Sequence, residues 1–141
     1  MTQLPIPYRS QWAADADKNN TDCGPTCLAM ILNYYGVETT PNQLYSFLPD
    51  KGPNDFTFFS DLQRIGKHYG VTLRWIQYSD RQGAIGNLKA NLNNGNPMII
   101  LVKYQPWKAA TGNLFNGGHF VVATGHSNGQ ITMHDPVFGN W

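Results

Sequence analysis

The sequence contains little cysteine, and what it has excludes several kinds of site. Only two cysteines occur among 141 residues, at positions 23 and 27. A small secreted domain held by disulfides needs more, a Cys₄ zinc site needs four, and an iron–sulfur cluster needs at least a third. A bond between Cys23 and Cys27, within one helical turn, would have poor geometry. The simplest account is one reactive thiol and one inert, buried thiol.

Charge and long apolar runs are also scarce. Charged residues make up 13% of the chain and the net charge is +1, whereas about 25% charged residues is usual. No basic or acidic block occurs, so we expect no nucleic acid partner. No stretch reaches the length of about 18 apolar residues that a membrane span needs. The first ten residues, MTQLPIPYRS, lack the apolar region of a signal peptide.

The length predicts a single domain over residues 1–141, long enough to bury roughly two thirds of its unfolded surface. We expect this domain to be soluble and monomeric. Only five residues follow Pro136, so we expect further chain after it in the natural protein.

The most informative stretch is 22–36, DCGPTCLAMILNYYG, which predicts a helix that begins at a cysteine. Pro25 suits the first turn of a helix, and Gly36 suits its end. One apolar face is expected, formed by Cys27, Met30, Ile31 and Tyr34. Cys23 then lies where unpaired N–H groups and the positive end of the helix dipole favour a thiolate. Cys23 is therefore a candidate nucleophile; the alternative is a small apolar residue at a helix start.

The remaining pattern predicts three more helices followed by an antiparallel sheet. Thr40, Pro41 and Gln43 form the signature of a capping box, so a short helix should start there. Further helices are predicted over 57–69, with Phe58 on its buried stripe, and over 82–93. Strands are predicted over 71–76, 98–104 (a central strand), 119–124 and 130–135, with a possible short strand over 8–12. Helices first and strands afterwards indicate an α+β fold with segregated layers.

A cysteine nucleophile needs a base, a group that orients the base, and donors for an oxyanion. His119 opens a predicted core strand after two glycines, and Asp135 ends the neighbouring strand. Gln11 precedes Cys23 and carries a side-chain amide that can donate to an oxyanion. Taken singly, these residues could equally be a core histidine, a turn start and a surface amide. The spacing of the histidines and Asp135 matches no common metal site, so we expect no metal and no organic cofactor.

The long loop over 105–118 is a candidate wall of a cleft. It is rich in glycine, asparagine and tryptophan, and long loops in compact domains are usually functional or mobile. Trp107 offers an apolar contact, and Gly117 and Gly118 would let a substrate backbone lie close. These three residues are the substrate-binding candidates; the alternative is a mobile surface loop.

The hairpin between the last two strands imposes a geometric condition. With a plain two-residue turn at Asn128 and Gly129, Asp135 would pair with Val122 and point away from His119. We therefore predict a bulge or an irregular hairpin over or near 125–130, with Gly125 or Gly129 at a positive φ. We also predict that the Asp135 carboxylate lies within hydrogen-bonding reach of His119.

These motifs, in this order, resemble the C39-like cysteine peptidases, including the peptidase domains of bacteriocin-processing transporters. The matching stretches span almost the whole chain: 10–11 (SQ), 22–36, 96–100 (NPMII), 118–122 (GHFVV) and 135–136 (DP). The resemblance implies a papain-like fold, with N-terminal helices packed on an antiparallel sheet, and a peptide or protein substrate.

The same resemblance implies roles for four residues. Cys23 would be the nucleophile, His119 the general base and acid, Asp135 the orienting residue and Gln11 the oxyanion donor. Cys27 would be the structural second cysteine of the helix. The expected activity is thiol-dependent hydrolysis of peptide or amide bonds. The alternatives are acyl transfer to an amine by the same residues, and a peptide-binding module without catalysis.

The sequence also departs from the transporter-linked members of that family. Those members carry a membrane span and an ATPase and cut leader peptides after a double glycine, and neither module is encoded here. The interval between Gln11 and Cys23 is longer, because of a polar loop over 13–21. We therefore do not expect the double-glycine substrate to carry over directly.

Overall fold

The computed structural model describes residues 1–16, 22–49, 51, 55–103, 118–137 and 139–140. It contains the four helices and five strands α1 (Cys23–Tyr34), α2 (Pro41–Tyr45), α3 (Phe59–His68), α4 (Arg81–Asn93), β1 (Thr2–Gln3), β2 (Met98–Lys103), β3 (Gly118–Ser127), β4 (Gln130–Asp135) and β5 (Gly139–Asn140). All four helices precede β2, and every strand pairing is antiparallel. The predicted α+β fold with N-terminal helices on an antiparallel sheet is confirmed.

Strand β3 lies at the centre of the sheet. Strands β1 and β2 both pair with β3, β4 also pairs with it, and β5 pairs with β4. Helix α1 packs against β3 and also contacts α2 and α3, while α4 packs against β3. Seven consecutive residues of β3, from His119 to Gly125, are buried. Within the described ranges, no helix combines the length and the apolar character needed to cross a membrane.

The sequence predicts that one face of α1 is buried. In the structure the helix is buried on all sides. Every residue from Cys23 to Leu32 is buried. The helix ends as expected, because Gly36 adopts a φ of +83° that other residues rarely adopt. Apolar neighbours on several sides, from α2, α3 and β3, make α1 the centre of the core.

The helix caps largely follow the sequence. In α2, Thr40 Oγ1 accepts from the Gln43 backbone N–H, and Gln43 Oε1 accepts from the Thr40 N–H, so the predicted capping box is confirmed. Asp80 caps α4 by accepting from the Gly83 N–H at 2.6 Å. The predicted buried stripe of α3 is wrong at its first member, since Phe58 is 63% exposed. Phe58 precedes the helix, and Phe59 packs against the core instead.

Three strand predictions need correction. Residues 71–76 do not form a strand: the chain turns back on α3, where Val71 N–H donates to Gly66 O and Gln63 Nε2 donates to Leu73 O. Strand β2 (Met98–Lys103) corresponds to the strand predicted over 98–104, but among the described strands it pairs only with β3 and is not central. An apolar run does not distinguish a central strand from an edge strand whose faces are partly covered. The stretch 8–12 is irregular and contains no strand.

The hairpin between β3 and β4 has a two-residue turn and a bulge. Asn128 and Gly129 have φ values of 50° and 78°, as a tight hairpin turn requires. The register then shifts between Ala123 and Gly125, so that Val122 faces His134. The predicted irregularity is confirmed as a bulge between Ala123 and Gly125, a few residues before the turn. Gly125 does not have a positive φ. Its missing side chain lets β1 lie close, because a methyl group at Gly125 would meet the Thr2 carbonyl oxygen and the Gln3 side chain.

We expect Gly125→Ala to destabilise the protein by about 1–3 kcal/mol, because the added methyl group overpacks the contact with β1. Gly86→Ala is the matched control. Gly86 lies exposed in α4 with open space around its Cα, so the same substitution should stabilise by about 0.5–1 kcal/mol. Denaturant unfolding monitored by circular dichroism measures both, and equal effects of the two substitutions would contradict the close-approach argument.

Candidate active site

Cys23 is the first residue of α1, at the helix end that faces the sheet. Its side chain is buried, with 7% of the residue exposed. Asp22 occupies the N-cap position, and its carbonyl oxygen accepts from the Thr26 N–H at 2.9 Å. Backbone N–H groups of the first helical turn have no partner within the helix, so Cys23 stands where a negative charge is stabilised.

His119 and Asp135 form a buried hydrogen bond. His119 Nε2 lies 2.8 Å from Asp135 Oδ1, and the side chains are 4% and 1% exposed. The predicted contact is therefore confirmed. The bulge in β3 makes it possible, because it moves Asp135 onto the sheet face of His119.

Two further bonds fix the end of β4. Asp135 Oδ1 also accepts from the Val137 backbone N–H at 2.8 Å. The Tyr8 hydroxyl donates to the Asp135 carbonyl oxygen at 3.0 Å. The carboxylate therefore has little freedom to rotate away from the imidazole.

The His119 imidazole also hydrogen-bonds to the Cys23 side chain. Because Nε2 is occupied by Asp135, Nδ1 is the ring nitrogen available to the thiol. Burial alone lowers the pKa of His119, but the hydrogen bonds to Asp135 and Cys23 outweigh burial and raise it from 6.5 to about 9. The imidazole is therefore largely protonated at neutral pH and can stabilise a thiolate.

Cys27 has a different environment, although it lies only one turn further along α1. It is fully buried, and burial, together with the charges of Cys23 and Asp135, raises the pKa of its thiol well above the ordinary value. A buried neutral thiol is a small apolar side chain. The expected division into one reactive and one inert cysteine agrees with this difference.

Gln11 lies beside the same end of β4. It is buried, and its backbone N–H donates to the Pro136 carbonyl oxygen at 2.9 Å. The surface-amide alternative is therefore wrong for this residue. Its burial next to Pro136 places Gln11 close to Asp135 in the fold.

An apolar cavity of about 360 Å³ opens beside Cys23. Gly118 lies on its wall, as the sequence had suggested for a substrate-binding residue. Trp107 and Gly117, the other two candidates, lie outside the described residues. Among the residues that the structure describes, the cavity is lined by Cys23, Phe56, Thr57, Phe58, Phe59, Trp75, Leu101, Gly118 and Phe120.

The other histidines make contacts of an ordinary structural kind. His134 is buried, packs edge-on against the Tyr8 ring, and has its pKa lowered by burial. His126 Nε2 lies 2.8 Å from Asn93 Oδ1. His68 lies in the last turn of α3, and its ring contacts the Phe47 ring at a tilted angle. In the parts of the chain that the structure describes, no three metal-ligating side chains are grouped together.

The sequence did not indicate two parts of this region. Tyr8 and Val137 hold Asp135 in place, and neither had a recognisable motif. The cavity wall was also not predicted, because three of the four residues in the run Phe56-Thr57-Phe58-Phe59 fall within the helix predicted over 57–69. The aromatic residues of this run are too closely spaced to lie on one face of a helix. That spacing is the feature that could have indicated a cavity wall.

This chain is similar in sequence to a curated protein and in fold to two solved structures. A curated relative, the uncharacterized protein YvpB of Bacillus subtilis (strain 168), is 29% identical over 153 aligned positions. The alignment covers 86% of this chain but 60% of that protein, so the chain spans less than two thirds of this relative's length.

Two solved structures share the fold. A C39-like peptidase from Bacillus anthracis superposes with a TM-score of 0.64 at 20% identity, covering 96% of this chain and 82% of the other. A double glycine motif protease from an AMS/PCAT transporter, solved with its leader peptide, superposes with a TM-score of 0.54 at 18% identity. This superposition covers 99% of this chain and 80% of the transporter protease chain. The model of the Peptidase_C39 like family matches residues 3–140, and the chain belongs to that family.

Proposed function

We propose that this protein is a cysteine peptidase that hydrolyses peptide bonds with Cys23, His119 and Asp135. The observation that carries the proposal is the buried connection from the Cys23 thiol through the His119 imidazole to Asp135 Oδ1. A nucleophile, a base and an orienting carboxylate in contact are the minimum set for this chemistry. Family membership supports the same reaction class.

In the proposed reaction, the Cys23 thiolate attacks the carbonyl carbon of the peptide bond. The negative oxygen that forms is held by the Cys23 backbone N–H, at the start of α1, and by the Gln11 side-chain amide. The protonated His119 gives its proton to the leaving amine, and the C–N bond breaks. His119 then accepts a proton from water, which attacks the thioester and releases the acid product.

Asp135 acts through His119 in this scheme and is a positioning residue. Its carboxylate holds Nε2, so that Nδ1 faces the thiol, and it stabilises the imidazolium. The Val137 N–H and the Tyr8 hydroxyl hold Asp135 in turn. The negative charge of Asp135 is one reason that the pKa of His119 rises to about 9.

Acyl transfer to an amine would use the same thioester, so the two reactions share every residue named above. Product analysis with and without an added amine nucleophile distinguishes them. The solved relative from the transporter is named a double glycine motif protease, so peptides with two glycines before the cut belong among the substrates tested. Hydrolysis as the main outcome supports the proposal, and a dominant amine adduct would assign the chain to transfer.

Cys23 should react with iodoacetamide at pH 6, whereas Cys27 should not. The reason is that Cys23 lies at a helix N-terminus against a protonated imidazole, while Cys27 is fully buried and its pKa is raised by burial. Peptide mapping after brief alkylation of the folded protein measures both sites. Cys23→Ala should abolish turnover and leave the fold intact, and equal labelling of the two thiols would contradict the assignment.

The pH profile of kcat/KM should fall as pH rises through about 9. His119 has a raised pKa, so it keeps the proton needed by the leaving amine above pH 6.5 and loses it only near 9. Asp135→Asn should move this alkaline limb to lower pH, because the carboxylate raises the His119 pKa. Asp80→Asn is the matched control: Asn caps a helix as well as Asp does, so the profile should not move. If the alkaline limb of the kcat/KM profile does not move in Asp135→Asn, Asp135 does not have the proposed role of positioning His119.

Gln11→Ala should lower kcat by roughly 10²–10³, with little change in KM, because it removes one oxyanion donor. Gln82→Ala, at an exposed position in α4, should leave both constants unchanged. Steady-state kinetics on one cleaved peptide measures the difference. A change mainly in KM would make Gln11 a contact for the bound substrate in place of an oxyanion donor.

A further inference from the structure

Exposed apolar side chains are concentrated around the apolar cavity beside Cys23. Eight large apolar residues among those described are exposed, and four of them line this cavity: Phe56, Phe58, Trp75 and Leu101. Their exposed fractions run from 44% to 63%. Exposed apolar surface grouped in one place, next to reactive groups, is typical of a site that a ligand covers.

The wall of the cavity is held in place by polar contacts behind it. Lys51 Nζ donates to the Phe56 carbonyl oxygen at 3.1 Å and lies 4.4 Å from the centre of the Phe58 ring. The same ammonium pairs with Asp61 at 3.3 Å, and Asp61 Oδ2 accepts from the Phe58 N–H at 2.8 Å. Phe56 and Phe58 are therefore fixed through their backbones, although their rings are exposed.

The back of the cavity is made of packed aromatic rings. The Phe59 ring lies 4.4 Å from Trp75 and 5.3 Å from Phe120, measured between ring centres. Phe120 pairs across the strands with Leu101 and follows His119 in β3. The cavity therefore extends from the Cys23 thiol along the strand that carries the base.

Size and chemistry together indicate the kind of group that fits. The cavity has a volume of about 360 Å³, and none of its described lining residues is charged. An apolar cavity of about 150 Å³ already holds a benzene molecule. The cavity is therefore large enough for the side chain of a leucine, methionine or phenylalanine and offers no partner for a charged one.

We propose that this apolar cavity is a specificity pocket, and that the preferred substrates carry a large apolar side chain within two residues of the bond that is cut. The proposal rests on the peptidase function proposed above, and it adds the substrate class. The occupant is a peptide side chain because the cavity wall includes both the proposed nucleophile, Cys23, and the residue before the proposed base, Gly118.

The first experiment compares peptides that differ only near the cut, with leucine, phenylalanine, glycine or aspartate at each of the two positions on either side. One methylene group in an apolar pocket changes kcat/KM by roughly 10- to 200-fold, so leucine over glycine should gain at least about tenfold at one of these positions. Cleavage with equal or better rates for glycine at all of them would overturn the pocket assignment while leaving the peptidase function standing.

The second experiment alters the pocket wall. Leu101→Asp places a charge at a half-exposed position of the wall, so the leucine-to-glycine ratio of kcat/KM should fall by about tenfold or more. Ile76→Asp is the matched control, because Ile76 is also aliphatic and 44% exposed but does not line the cavity. Thermal melts verify that both variants fold. An equal fall of the ratio in both variants would contradict the assignment.

A third measurement separates failure of the pocket from failure of the peptidase function. It uses two N-acetyl dipeptide chloromethyl ketones, one with leucine and one with glycine. Each compound alkylates Cys23 with loss of chloride, so its reaction does not require that a peptide bond is cleaved. Faster reaction of the leucine compound, reduced in Leu101→Asp and kept in Ile76→Asp, supports the pocket even if no peptide is cut. Equal rates for the two compounds, together with the absence of cleavage, would overturn both proposals.

Discussion

The buried hydrogen bond between His119 and Asp135 depends on where the sheet places two strand ends. Both residues lie on β-strands whose side chains alternate, so a shift of one residue would place them on opposite faces. The bulge at Ala123–Gly125 sets this register, and the close contact of Gly125 with β1 lies at the same point. The register that brings Asp135 to His119 is therefore set at the point of the sheet where β1 contacts β3.

A buried imidazolium beside Cys23 and Asp135 costs desolvation free energy, and stability alone does not explain it. The bonds to Asp135 and Cys23 outweigh burial in setting the His119 pKa. Replacing such buried charged groups with apolar residues is often neutral or stabilising. Perturbed ionisable groups in contact at a cavity are typical of sites that do chemistry, which agrees with the membership of this chain in a peptidase-like family.

Helix α1 and the segment before α3 meet at Gly24. A methyl group at Gly24 would meet the Thr57 hydroxyl and the Phe120 ring. This close approach brings the helix end that carries Cys23 against the cavity wall. Asp61 stabilises the same wall from behind, since it caps α3 and pairs with Lys51. Cys23, the proposed nucleophile, and the proposed pocket are positioned by the same contacts.

The order of the motifs along the whole chain indicated Cys23, His119 and Asp135 as candidates. The sequence by itself also determined the local features: the ends of α1, the capping box of α2 and the hairpin turn. Each depends on neighbours within a few residues, where propensity and capping act directly. Tertiary structure decided the rest. Residues 71–76 alternate like a strand but pair with no strand in the described part of the chain, and β2 has the composition of a central strand but has β3 as its one described neighbour. The aromatic run 56–59 became a cavity wall because Lys51, Trp75 and Phe120 come to it from distant parts of the chain, and contacts of that range have no signature in local sequence.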